Sequence, residues 1–387
     1  MSGVTHPAGP RWIPLGRWCG VPVGARWSVG FTLLFLDCVV ATSVLPLAAP
    51  GHSGPAYWVT GAMTAAVFEL SLLVHELAHA VAARRHGVGV RRVELWALGG
   101  TAEFATEPPT PRADLVIAAA GPLAGMAVAV LTAAVALVAT ALGLPPLVVA
   151  PLVWLALADT VVAVVNLVPA APLDGGRVLR AALWSRTGDR FRADRVATGL
   201  GLSLGAALVV AGLAELLTGT SAGVWAAVVG GYLVAMSLAE RRRAVLERAL
   251  AGVTAGEAME PDPVVAPGWW TVQAFLERVA ARERRRVFPV VSFEHAVLGV
   301  VSLAELTALP LRDRLSRTVA RSCRPLDSVP TAHPEDPAFE VLWSAALRPG
   351  RDVVVVLRGE RLVGVIDRDD VDRVVELSPA VGPPRSS

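Results

Sequence analysis

His75 and His79 stand four positions apart with a glutamate between them, in the stretch His75-Glu76-Leu77-Ala78-His79. On a helix, residues i and i+4 lie one above the other, so both imidazoles can reach one metal ion while Glu76 holds a water beside it. That is a set suited to metal-assisted hydrolysis. The stretch closes an apolar run, 60–74, of the kind found in membrane helices, so the chemistry would take place within a bilayer. On these residues alone, two capping or core histidines near a helix end would also fit the pattern.

A catalytic site needs a third ligand. The segment Asn166-Leu167-Val168-Pro169-Ala170-Ala171-Pro172-Leu173-Asp174-Gly175-Gly176-Arg177 follows a later apolar run. Its Asn, prolines and glycines break a helix, and unwound backbone at membrane depth is tolerated only where it is buried or lines a polar cavity. Asp174 is the candidate there. Two imidazoles and one carboxylate would leave the fourth tetrahedral position open, which a catalytic zinc site requires and a structural one lacks. His6, His52, His86, His295 and His333 have no motif partner, and Cys19, Cys38 and Cys323 form no C-x-x-C pair, so none of these is given a metal role.

The elements that must position these groups are written in the hydropathy. The chain has 387 residues, 54% of them hydrophobic, and a mean hydropathy of +0.55, too apolar for an ordinary soluble globule. Six segments approach the roughly 20 apolar residues needed to cross a bilayer: 27–47, 57–82, 115–142, 147–168, 196–217 and 222–238. There is no Lys. The Arg residues gather before the first segment, between the second and third, between the fourth and fifth, and after the sixth, while the alternate connections carry none. By the positive-inside rule, both termini and the Arg-rich connections are cytoplasmic. The uneven charge speaks about topology rather than nucleic acid. With no apolar core before Trp27, the first segment reads as a signal anchor rather than a cleaved peptide.

H-E-x-x-H on one span, followed on a later one by L-D-G after N-x-x-P-x-x-P-L, resembles the site-2 protease family of intramembrane metalloproteases, peptidase family M50. The resemblance covers roughly the whole membrane portion. It implies His75, His79 and Asp174 as ligands of one Zn2+ and Glu76 as the catalytic acid/base, in an enzyme of the plasma membrane that cuts membrane-spanning segments of other proteins, such as anchored transcriptional regulators. Longer metzincin motifs would place Gly and His where Ala82 and Arg85 stand, which excludes that class. A thermolysin-like set would take Glu94 or Glu103 as ligand, but a soluble protease has no reason to bury its motif in a span. A second function class is carried forward: a transporter or scaffold in which the motif binds metal without hydrolysis.

Residues 89–104 read as two short strands around Gly99-Gly100, a hairpin whose edge could pair with an unwound substrate. Gly121-Pro122-Leu123-Ala124-Gly125 resembles the family's G-P-x-x-N segment, with Gly125 where Asn is common, and reads as a close helix contact. Asn166 offers two readings, an oxyanion or ligand partner or a group satisfying the helix end. Asp37, Glu69 and Asp159 lie inside spans, either as neutral acids bonded to a neighbouring helix or as partners of a zinc-binding His or a water path.

Beyond the basic 241–248 stretch, the sequence repeats itself at an offset of 65: 287–302 matches 352–367. Each unit reads helix, strand, turn, strand, helix. This resembles a tandem pair of cystathionine-β-synthase-type (CBS) modules over 254–376, which implies an adenine nucleotide between the repeats, with Ser302 and Asp370 as candidate contacts, or a structural, dimerising module. Asp367 would repel a phosphate. The expected architecture is a mainly α polytopic membrane protein with a C-terminal α/β CBS-pair domain: a cytoplasmic segment 1–26, a protease domain 27–240, a linker 241–253, the pair 254–376 and a tail 377–387. Its partners would be membrane-protein substrates, the lipid bilayer and a second copy of the chain through the pair.

Overall fold

A computed structural model describes residues 12–97, 99–219, 222–345, 347–348 and 350–370, and the chain divides near residue 241 into two compact units. In the first, six helices are long and apolar enough to cross a membrane: Val29–Ala48, Gly54–Arg85, Pro111–Ala141, Pro146–Asn166, Arg190–Leu217 and Gly223–Ala249. Their order matches the six hydropathic segments, but the second, third, fifth and sixth run further than hydropathy suggests. Hydropathy stops at the first charges, whereas helix hydrogen bonding continues through them. Gly54–Arg85 spans 32 residues, about 48 Å at 1.5 Å per residue, so it outruns a hydrocarbon core of about 30 Å. Leucines such as Leu123, Leu131 and Leu137 of the third span face outward at 65%, 65% and 72% exposure, the surface lipid covers. This is a multi-pass membrane protein.

The first surprise lies ahead of the first span. β1 (Trp12–Trp18) and β2 (Val21–Arg26) form a hairpin that joins β3 (Val90–Trp96) and β4 (Gly99–Phe104) in one sheet of order β1-β2-β3-β4. Residues expected to be only a cytoplasmic segment are therefore half of a sheet. β2 pairs parallel with β3, Val23 opposite Val93, and β3 pairs antiparallel with β4, Trp96 opposite Gly99. β3 ends at Trp96 and β4 begins at Gly99, so both glycines lie in the strand rather than in the turn. Val21, Val23, Val93 and Leu95 pack with Leu73 and Ala80 of the second span. The sheet is held against the helical turns that carry the His pair, and β4 is its outer strand on that side.

The second unit contains the repeat as two sheets. β6 (Ala266–Pro267), β7 (Val287–Val291), β8 (Val297–Ser302) and β9 (Arg324–Pro325) make one. β10 (Thr331–Ala332), β11 (Val354–Arg358), β12 (Arg361–Ile366) and β5 (Glu260–Pro261) make the other. Within each, the first strand pairs parallel and the rest antiparallel. The strand preceding each repeat closes the sheet of the other, so the two are interlocked, as the CBS resemblance implies. Strand pairing corrects the repeat length: Phe288 opposite Val301 corresponds to Val354 opposite Ile366, an offset of 66 in the first strand and 65 in the second. The loop between the two strands absorbs the one-residue difference. The expected boundary at 376 and the tail 377–387 lie outside the described residues.

Candidate metal centre

The second span delivers both imidazoles from one helical face, and Asp174 arrives as the first residue of the Asp174–Thr187 helix. His75 Nε2 and His79 Nε2 each lie 3.1 Å from Asp174 Oδ2 and 3.2 Å from one another. Among the described residues these three are the group able to hold a metal ion. Donors bound at about 2.0–2.1 Å in a tetrahedron lie roughly 3.3–3.4 Å apart, so the triangle is close to one face of a zinc coordination tetrahedron. The donor set fits.

Local sequence explains how the carboxylate gets there. The fourth span ends at Asn166, and the chain folds back over Leu167 to Leu173 before the next helix starts. A side chain at Gly175 would overlap the carbonyls of Leu167 and Val168, and one at Gly176 would come within 2.5 Å of Ala171 N. Only glycines let the helix begin so close to the segment before it. Burial opposes the charge on Asp174, but its contacts with the His75 and His79 rings and the charge of Arg177 hold its carboxyl well below the usual range. It presents an anion to the site.

The same helix is clamped at its next turns. Arg180 donates to both oxygens of Asp114, at 2.7 and 2.9 Å, and to Asp194 at 3.2 Å, while Arg177 lies 5.3 Å over the Phe104 ring of β4. Asp114 is fully buried. Removing one partner of such a pair leaves an uncompensated charge, typically at a cost of about 3–5 kcal/mol. The Asp114–Arg180 bridge thus ties the helix carrying Asp174 to the third span, which touches the His pair.

That third span approaches as closely as it can. His79 Nδ1 donates to the Ile117 carbonyl at 2.7 Å, which leaves the Nε2 lone pair free for a metal. A side chain at Gly121 would overlap the His79 ring and lie 2.7 Å from His75 Nε2. The close helix contact read from Gly121-Pro122 is therefore a contact with the imidazoles themselves. Glu76 packs against β4, where a Cβ at residue 100 would come within 2.9 Å of its Cδ. The sheet edge and the glutamate are neighbours.

Asn166 is partly exposed at the end of its helix, and its amide makes no side-chain hydrogen bond among the described residues. The intramembrane carboxylates serve otherwise than as partners of the His pair. Asp159 accepts from Ser71 Oγ at 2.6 Å, Asp37 stands where a side chain at Gly61 would be, and Glu69 is buried with no partner among the described residues. The group that holds His79 is a backbone carbonyl, which residue types could not reveal. In the tail, Ser302 Oγ accepts from Glu305 N at 3.4 Å, and Asp370 Oδ2 accepts from Asp367 N at 2.9 Å. Arg285 faces Glu260, Asp367 and Asp370 together. Burial and the neighbouring Asp367 push the Asp370 carboxyl up to about 6.

Comparison with known proteins accords with this geometry. The sequence profile of Peptidase family M50 matches residues 63–145 and 141–212. Rip3 of Mycobacterium tuberculosis, named as a zinc metalloprotease, is 37% identical over 366 residues, 94% of this chain and 93% of that one. The chain belongs to peptidase family M50. A second relative named as a zinc metalloprotease, sll0528 of Synechocystis, is 26% identical over 373 residues, 95% of this chain and 96% of its own. Among solved structures, the site-2 protease of Methanocaldococcus jannaschii aligns with 60% of this chain and 96% of its own at 23% identity and a TM-score of 0.41. As an M50 peptidase of the site-2 type, the protein is a membrane-embedded zinc metalloprotease, and its lipid setting and membrane-protein substrates follow from that class.

Proposed function

We propose that His75, His79 and Asp174 hold one zinc ion, that Glu76 is the catalytic acid/base, and that the enzyme cuts membrane-spanning segments of other proteins near the cytoplasmic side. The observation that carries this is the convergence of two Nε2 atoms and one Oδ2 within 3.2 Å. When bound, zinc supplies a Lewis acid that activates water and polarises the scissile carbonyl. Asp174 brings the negative charge that offsets the cation, and the Ile117 carbonyl keeps the His79 proton on Nδ1. Glu76 takes the proton of the attacking water and delivers it to the leaving amine. The unengaged amide of Asn166 is assigned to the oxyanion side of the reaction.

A helical substrate hides its amides in internal hydrogen bonds, so it must unwind and pair elsewhere before it can be cut. β4, the outer strand beside Glu76, is suited to pair with it. The Arg distribution supports cytoplasmic termini and a site toward that side of the plasma membrane. The direct test uses purified protein in nanodiscs with a single-span substrate. o-Phenanthroline should stop cleavage and stoichiometric zinc should restore it; cleavage that continues in the chelator would remove the metal from the reaction.

For the tail we favour a scaffold that pairs two copies of the chain over nucleotide binding. The two candidate contacts are already engaged: Ser302 caps its own helix from a fully buried position, and Asp370 is shared between the Asp367 amide and Arg285. Isothermal titration of the full-length protein with AMP or ATP is expected to give no saturable heat. A saturable, one-per-chain isotherm would restore the nucleotide reading and make the pair a regulatory sensor.

A further inference from the structure

His75 and His79 lie one above the other, yet their outer ring nitrogens are treated differently. His79 Nδ1 has the Ile117 carbonyl at 2.7 Å. His75 Nδ1 is also buried and has no hydrogen-bond partner among the described residues. An imidazole that offers its Nε2 lone pair to a metal carries its proton on Nδ1, and metal-binding histidines pass that proton to an acceptor that fixes the ring. A buried N–H with nothing to donate to is an exception that calls for a cause.

Beside this nitrogen is the place where a side chain at Gly125 would be. A Cβ there would lie 3.6 Å from His75 Nδ1 and 3.8 Å from the Ala163 Cβ of the fourth span. Both are ordinary van der Waals separations, so a methyl group would fit. Gly121, one turn earlier, is different, since any side chain there would overlap the imidazoles. Close approach explains the glycine at 121 and does not explain the one at 125. The space beside Gly125 is bounded by small residues of two helices, and helix carbonyls keep a second lone pair for a further donor.

We propose that a single water molecule bound over Gly125, between the third and fourth spans, accepts the His75 Nδ1 proton and holds that ring in the orientation the metal needs. Gly125 is then a positioning residue that makes room for the water, and the water does for His75 what the Ile117 carbonyl does for His79. Its own hydrogens turn to helix carbonyls, which gives it the two or more partners a buried water requires.

This rests on the reading that His75 binds the metal. The test is the zinc affinity of full-length protein in detergent, measured by competition with a chromogenic chelator, for the wild type, Gly125→Ala, Gly125→Ser and His75→Ala. The alanine methyl displaces the water without replacing its oxygen, so affinity should fall about 10–100-fold, while the serine hydroxyl substitutes for the water and should bring affinity back to within about threefold of wild type. Unchanged affinity in Gly125→Ala would overturn the proposal, as would an equal fall in both variants, which would mean crowding alone. His75→Ala separates the two levels: wild-type affinity in that variant would sink the ligand reading itself, whereas its loss beside an unaffected Gly125→Ala would sink only the water.

Discussion

Glu76→Gln is expected to leave one zinc per chain and to reduce cleavage of a co-expressed single-span substrate by at least about 100-fold. Glutamine keeps the size and polarity of the side chain beside Gly100 but has no basic oxygen to take a proton. The coordinating atoms come from His75, His79 and Asp174 and are untouched, so metal content and fold should not change. Immunoblotting of the substrate fragment, with metal analysis of the same preparation, reads both halves. Unchanged cleavage would count against Glu76 as the acid/base and so against the protease mechanism, whereas a transporter or scaffold that merely binds metal would give no cleavage with either residue.

Asp174→Ala should act in the opposite order, on the metal first. Two imidazoles alone provide neither the third donor nor the charge that balances the cation, so zinc should drop well below one per chain and cleavage should vanish with it. The helix itself should persist, because its clamp through Arg180 to Asp114 and Asp194 does not involve residue 174. Atomic absorption on the purified variant measures the first effect, and its circular dichroism checks the second. If Asp174→Ala retained a full equivalent of zinc, the carboxylate would be no ligand, whatever its distance from the imidazoles.

The meeting of His75, His79 and Asp174 was legible because i, i+4 spacing sets two rings on one face by helix geometry alone, and because Pro169, Pro172, Gly175 and Gly176 mark where the later helix must break. The six spans were legible from hydropathy. The N-terminal hairpin was not: Pro14, Gly16, Pro22 and Gly24 interrupt any alternation, and β2 is defined by its partner β3, with Val23 opposite Val93.

Contacts that depend on backbone or on distant helices were hidden for the same reason. The Ile117 carbonyl on His79 belongs to no residue type, and Ser71 meets Asp159 only because the second and fourth spans pack side by side. Asp114 and Arg180 stand 66 positions apart, and no spacing pairs them until the third span and the Asp174–Thr187 helix are packed together. The glycines divide instructively, since Gly121 and Gly100 look like generic small residues until the side chains that fill their space, the imidazoles and Glu76, are placed beside them. In the repeat, matching at a single offset of 65 hid what strand pairing reveals, that one unit is a residue longer between its first two strands.

The most direct test of the whole account is anomalous diffraction from crystals of the zinc-loaded protein, collected on either side of the zinc absorption edge. The account predicts one strong peak about 2 Å from His75 Nε2, His79 Nε2 and an Asp174 carboxylate oxygen, with Glu76 facing the open side. A peak elsewhere, or one bound by the two histidines with Asp174 turned away, would contradict it.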